Sequence, residues 1–497
     1  MNGADTDREI REASPDSPGR PGIPGKKARW RAQGAAVMRR NWPAIVLLTA
    51  GLILRALAQA AYRPAIFYID TPRYLLNQAP GMDPLGYKAV LRAITAVADL
   101  DAVIVVQHLL GLGMAVVIYA LLLRRGTGRW LAALAIAPVL LDAYQIQIEQ
   151  TLMPDVWLEA MIVAGLAILL WRPSTSWRHV AFAGVVLGTS ATIAQVGEAL
   201  LLPTVIYLLA AGGGWRQAVG RAAVLCTAFV VPILAYCTGS YLLSGAFQLS
   251  HTGVTSFYGR AAAAVDCQSI KLPAAERGMC PTRAQQAHGP DWLEYAPASP
   301  IRPYYDPKSQ SIAQTNSQIA DFNRSVLTQQ PLRLLAAYGH DVVKLFAVGR
   351  TQSAGDTPIS RWQFHSAYTY FRPWTSVGVV SGAISRFGGG SPVVWLPGAR
   401  FLRAYQLNGG YTPGPLLAVF TLAGLAGSAV LLRRRAGPRV RQLGLACLLF
   451  VGSGLLVLLV SDLFQFSWRY QLPALVTLAP TGALGLSALL GVRERAS

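Results

Sequence analysis

Ile66-Phe67-Tyr68-Ile69-Asp70-Thr71-Pro72-Arg73-Tyr74 and Phe466-Ser467-Trp468-Arg469-Tyr470-Gln471-Leu472-Pro473 stand at the ends of long apolar runs, the first just after residues 43–62 and the second just before 473–491. Each of these runs is near the length a helix needs to cross a ~30 Å hydrocarbon core. Two polar clusters at segment ends, on one side of a membrane, point to a site at the interface. An acid and an arginine meeting there could deprotonate a hydroxyl and hold a phosphate.

The rest of the chain repeats the apolar pattern. Of 497 residues, 53% are hydrophobic and 14% charged, and the mean hydropathy is +0.37. This composition, with its repeated apolar runs, predicts an all-α polytopic membrane protein of about ten transmembrane helices, with juxtamembrane helices and a mixed extracytoplasmic segment. The expected spans are 43–62, 102–123, 130–143, 155–171, 180–195, 199–211, 222–243, 413–432, 442–460 and 473–491. The net charge of +20 comes largely from arginines between the runs, where it orients insertion. No basic patch carries interleaved aromatics, so no nucleic-acid partner is expected.

With ten crossings the clusters Lys26 to Arg40, Arg124 to Arg129, Arg172 to His179, Arg216 to Arg221, Arg433 to Arg441 and Arg493 to Arg495 share one side, which is then cytoplasmic along with both termini. Ala58-Gln59-Ala60 looks like a cleavage site after an apolar run. The long basic stretch before it and the interrupting Arg55 favour an uncleaved first helix. The organisation expected is a disordered basic tail at 1–42, an N-terminal transmembrane module at 43–243 bearing the first outer loop, an extracytoplasmic segment at 244–412, and a C-terminal transmembrane module at 413–497. Pro331 to Arg350 reads as an amphipathic helix at the membrane surface.

Cys226, Cys237 and Cys447 fall in apolar runs, whereas Cys267 and Cys280 lie in the outer segment, where oxidation is permitted. A disulfide between them is expected, and would contribute ~3 kcal/mol in the chain-entropy account. Asp70 is flanked by Phe67, Tyr68 and Tyr74, aromatics suited to headgroup depth. It reads either as a general base or as the N-cap of a helix with Pro72 early in it, and the two are compatible. Lys88 and Arg92 share a helical face that could seat a phosphate or anionic lipid. Gln145, Gln147, Glu149 and Asp155 gather around Met153-Pro154. Asp155 begins a span, where it needs a cationic partner such as Arg73 or Arg469. Arg469 offers a planar fork to phosphate oxygens, or simply snorkels.

A first helix carrying Arg55, Asp70 with Arg73-Tyr74, the Met153-Pro154-Asp155 turn and Arg469-Tyr470-Gln471-Leu472-Pro473 before the last helix together resemble the glycosyltransferase C superfamily. Within it the chain is most similar to polyprenyl-phosphate-sugar-dependent enzymes of the protein mannosyltransferase and aminoarabinose transferase type. The likeness runs over roughly 44 to 240 and 413 to 491. It implies a sugar moved, with inversion, from a polyprenyl-phosphate donor to a hydroxyl of an envelope glycan, glycolipid or protein, on the outer face of a bacterial plasma membrane. Asp70 would then be the base. Arg469, with Lys88 and Tyr470, would bind the donor phosphate, and Glu149, Asp155 and Arg73 would orient the acceptor or Asp70. Many relatives carry a second acid beside the first, where Thr71 stands here, so a metal-independent reaction is expected and no cofactor, though a divalent ion is left open. The readings from other classes are a transporter or flippase for a lipid-linked saccharide, and a non-catalytic envelope scaffold. The first of these would be expected to show internal repeats, and none is visible.

Overall fold

The computed structural model describes residues 38–493 apart from 79–80, 173–174, 251–252, 306–310, 372–374 and 434–436. Most of the expected 1–42 tail, and Arg495 of the last basic cluster, lie outside the described residues. The chain is an all-α polytopic membrane protein. Its helices are α1 (Trp42–Ala61), α2 (Thr71–Leu75), α3 (Gly86–Thr95), α4 (Leu100–Arg124), α5 (Arg129–Leu141), α6 (Ala143–Glu149), α7 (Asp155–Leu170), α8 (Trp177–Ile193), α9 (Leu201–Ala210) and α10 (Trp215–Ser244). After these come α11 (Gly253–Ala264), α12 (Arg283–Gln286), α13 (Gly289–Tyr295), α14 (Ile312–Gln329), α15 (Pro331–Lys344), α16 (Val377–Phe387) and α17 (Leu396–Leu407). The chain closes with α18 (Gly414–Ala429), α19 (Pro438–Asp462) and α20 (Leu472–Arg493).

Among the described residues six helices are long and apolar enough to span a membrane, and α5 with α6, bent by 53°, counts as a seventh. The runs expected as spans at 155–171, 180–195 and 199–211 form shorter helices. At 1.5 Å per residue, the 16 residues of α7 reach only about 24 Å. The last two spans form the centre of the bundle. In α19 and in the Trp468–Gly491 stretch, 67% and 72% of the apolar window is buried, against 28% in α1 and 22% in α10. Small residues make that centre possible. A Cβ on Gly485 would strike the Ala423 carbonyl, and one on Gly427 would lie 2.6 Å from the Gly485 Cα. α18 and α20 thus cross backbone to backbone, as small residues allow in lipid.

At one end of the bundle two-residue strands β1 (Tyr62–Arg63) and β2 (Val393–Val394) pair antiparallel, Tyr62 opposite Val394, joining the end of α1 to the outer segment. The segment expected to be mixed has helices as its main regular structure among the described residues, with β2, short 3-10 turns and irregular stretches between them. It holds its own apolar core, in which Tyr258, Leu293, Ile319, Phe322 and Val326 are buried. Capping boxes start α12 (Thr282 with Gln285) and α14 (Ser311 with Gln314), satisfying amide groups a helix end leaves open. Cys267 and Cys280 are joined in a disulfide, and Cys226, Cys237 and Cys447 are free. The amphipathic stretch folds as α15, with Leu332, Leu335 and Val343 exposed and Tyr338 donating to the Leu459 carbonyl of α19 at 2.7 Å.

Candidate active site

The two stretches that frame the sequence meet. Residues 68–78 and 82–83, the turn before α20, and α11, α13 and the 357–362 segment of the outer unit enclose a cleft of about 380 Å³. Asp70 lies in its wall with its side chain 18% exposed. The helix-cap expectation fails in detail: Asp70 takes the N-cap position of α2, yet its side chain makes no capping hydrogen bond. Its Oδ1 pairs instead with Arg73 Nη2 at 2.9 Å, and Oδ2 stands 3.9 Å from Arg469 Nη1. Oδ2 is the less engaged oxygen.

Arg73 is shared. Its Nε lies 2.9 Å from Asp83 Oδ2, so one guanidinium bridges two carboxylates contributed by the same loop. Burial lifts the Asp83 carboxyl above the usual range despite the pull of Arg73. Arg469 comes from the 3-10 turn Trp468–Gln471. Its Nε is 3.3 Å from Asp155 Oδ1, and its guanidinium faces the rings of Trp362 at 5.0 Å and Tyr470 at 5.4 Å. Asp155 thus finds the cationic partner its position requires. Tyr470 lines the cleft, and its hydroxyl accepts from Gln465 Nε2 at 3.2 Å.

Of the candidate site residues, Asp155 backs Arg469 without lining the cleft, and Lys88 and Glu149 stand elsewhere. Lys88, on α3, is buried and donates to Asn77 Oδ1 at 3.1 Å, and it does not line the cleft. Glu149 lies inside the bundle. Its carboxylate takes Arg55 Nε at 2.7 Å and Nη2 at 2.6 Å, and His108 Nδ1 lies 2.9 Å away. A Cβ at residue 111 would collide with that carboxylate, so Gly111 makes the room. The bend at Asp142, which caps α6 by accepting from Tyr144 N at 2.9 Å, turns Glu149 inward to Arg55. In the sequence the two are far apart, and the proximity of Glu149 to Asp155 along the chain hid this.

Conversely, the cleft includes Asp291, Glu294, Arg361 and Trp362 from the outer segment, where no motif was legible. The one available signal was Arg361-Trp362, a charged-aromatic doublet like Trp468-Arg469. Arg361 Nη1 lies 3.5 Å from Asp291 Oδ2. Burial raises the Asp291 carboxyl and pushes that of Glu294 up to about 7.

The donor set does not fit a divalent cation. A metal wants carboxylates free to converge on it, and here guanidinium groups separate them: Arg73 stands between Asp70 and Asp83, and Arg469 between Asp70 and Asp155. Positive charge at this site is supplied by arginine.

No family model matches the sequence, and no curated protein matches it. Among solved structures the chain is similar to the oligosaccharyltransferase AglB of Archaeoglobus fulgidus in complex with an inhibitory peptide and a dolichol-phosphate (13% identity, TM-score 0.41, covering 93% of this chain and 52% of that one). It is also similar to an oligosaccharyltransferase of the same organism tethered to an acceptor peptide (11% identity, TM-score 0.41, 92% and 50%). A third likeness is to the Saccharomyces cerevisiae protein O-mannosyltransferase Pmt1-Pmt2 complex bound to the sugar donor (15% identity, TM-score 0.32, 47% and 37%). The chain spans about half the length of the first two and less of the third.

Proposed function

We propose that this chain is a membrane glycosyltransferase that moves a sugar from a polyprenyl-phosphate donor to a hydroxyl acceptor of the cell envelope, with the cleft facing outward from a bacterial plasma membrane. The observation that carries this reading is the meeting of Asp70 and Arg469, from opposite ends of the chain, across 3.9 Å in a cleft at one end of the helix bundle. Asp70 Oδ2 takes the acceptor's proton. The acceptor oxygen forms its bond to the anomeric carbon as the carbon–oxygen bond to phosphate breaks, and the phosphate leaves with that electron pair. Arg469, held by Asp155 and by Trp362, stabilises the charge that develops there. A single displacement with one base inverts the anomeric centre. In this reading α7, α8 and α9 with its preceding turn complete ten crossings, and both termini are cytoplasmic.

The test is transfer from a panel of radiolabelled polyprenyl-phosphate sugars by the purified chain in nanodiscs, with envelope glycan as acceptor. Asp70→Asn is expected to lower turnover by at least 10²-fold with folding intact. Arg469→Ala is expected to raise the donor KM and lower kcat. Wild-type turnover by Asp70→Asn would sink the mechanism.

A further inference from the structure

The two walls of the cleft differ in charge and in origin. On the bundle side, Arg469 is the cation set against the reacting centre. On the outer side stand Ser256 of α11 and Asp291, Glu294 and Tyr295 of α13. Glu294 is buried, and its partners are hydroxyls: Ser256 donates to its Oε1 at 2.6 Å and Thr255 at 3.5 Å. The arginines of the cleft are already engaged, Arg73 with Asp70 and Asp83, Arg361 with Asp291, and Arg469 with Asp155. Asp83, Asp291 and Glu294 all have their carboxyl groups raised by burial, which is what happens when nearby cations do not outweigh desolvation. Once a donor phosphate has taken Arg469, no cation among the described residues lining the cleft is left for a second anion.

An independent observation points to a ligand on this path. Thr357 Oγ1 and Trp362 Nε1, in residues lining the same cleft, are buried without hydrogen-bond partners among the described residues. Buried polar atoms of this kind are normally satisfied. Tyr68 and Trp362, packed on each other with ring centres 4.4 Å apart, and Tyr295 line the same cleft, so aromatic side chains stand beside isolated polar groups, a lining that suits a pyranose or furanose ring and its hydroxyl groups.

We infer that α13 carries the acceptor subsite, that it receives an uncharged, hydroxyl-bearing saccharide through Glu294, and that it turns away anionic acceptors. The inference rests on the transferase reading above. It makes Glu294 a determinant of acceptor specificity with no part in bond making.

The experiment uses the full chain in nanodiscs with the radiolabelled donor panel and three acceptors: octyl glycosides of neutral sugars, the corresponding octyl glucuronide, and an uncharged peptide containing Ser and Thr. The neutral glycoside is expected to be used best, with the glucuronide at least about tenfold poorer in kcat/KM. Glu294→Ala is expected to raise the acceptor KM about tenfold with the donor KM unchanged. Glu294→Gln, whose carbonyl still accepts a hydrogen bond, should stay within about threefold of wild type. Preference for the glucuronide or the peptide overturns the proposal, as does an unchanged acceptor KM in Glu294→Ala. Asp70→Asn run in parallel separates the two levels. Transfer that depends on Asp70 but not on Glu294 removes this subsite alone, whereas no wild-type transfer, or transfer indifferent to Asp70, removes the transferase reading and the subsite with it.

Discussion

At the scale of single residues, the charges in this protein divide into those that face the cleft and those that hold the bundle. Glu149 belongs to the second group: its carboxylate is fully enclosed between Arg55 and His108. Taking its charge away leaves a guanidinium with no counter-ion inside the bundle, although the Val139 and Leu140 carbonyls still accept from it at 3.0 and 2.9 Å. Glu149→Gln should therefore destabilise by roughly 3–5 kcal/mol, the usual range for breaking a buried pair, and a thermal-melt series in detergent would register it as a large downward shift. A melt unchanged from wild type would return Glu149 to a candidate site role. Glu294 behaves oppositely. Its carboxyl rises from an ordinary 4.5 to about 7 on folding, so between those values the folded chain binds more protons than the unfolded one. Stability from this group is full below about pH 4.5 and is lost as pH climbs toward 7. The loss is at most ~3 kcal/mol at 1.36 kcal/mol per pH unit. Glu294→Gln should flatten that slope, and parallel melts of both proteins from pH 5 to pH 8 would show whether it does.

At the scale of elements, what was legible in the sequence was whatever a local pattern can carry. The apolar runs at 43–62, 102–123, 413–432, 442–460 and 473–491 all became long helices, because a hydrophobic stretch of that length has one way to satisfy its backbone in lipid. The Asp70 and Arg469 clusters could be placed on the same side for the same reason. Glu149 could not be placed, since its partner depends on a bend at Asp142 and on the space at Gly111, neither of which has a periodic signature. The 357–362 and 291–295 stretches stayed silent because their role comes from tertiary docking and their residues are ordinary for a loop. The crossing of α18 and α20 depends on its small residues. Gly485→Leu would drive a branched side chain into the Ala423 carbonyl and the Gly424 amide, forcing the helices apart. The expected result is loss of several degrees in melting temperature and a broadened elution profile, and Gly491→Leu, whose nearest neighbour is Val440 Cγ2 at 3.4 Å, is the milder control. Equal behaviour of the two variants would contradict close packing at 485.

At the scale of the whole molecule, the cleft needs the outer unit and the bundle to hold a common register, since each supplies one wall. Arg350 makes that connection. It follows α15, and its guanidinium lies 3.7 Å from the centre of Tyr144, 5.1 Å from Tyr411 and 5.9 Å from Trp468. Its Nη2 donates to Gln471 Oε1 at 2.7 Å, and the Asp142 carboxylate stands 3.8 Å away. Gln471 answers by donating its amide to the Leu345 carbonyl at 2.5 Å. One buried side chain therefore touches the bend after α5, the loop before α18 and the turn that presents Arg469. Tyr144 N and Thr412 N donate to the Asp142 carboxylate, so without Arg350 that carboxylate stays hydrogen-bonded but loses its cation. Arg350→Ala should thus remove stacking and packing together with that counter-charge, a loss of about 2–4 kcal/mol. Turnover should fall further than stability alone would explain, because the turn bearing Arg469 loses its support. Arg350→Lys keeps the charge but not the planar face or the fork, so it is expected to recover little of either. Melts and transfer assays on the two variants decide the matter. Full rescue by lysine would mean that charge alone is at work, and an unchanged kcat in Arg350→Ala would mean that the two walls keep their register by other contacts.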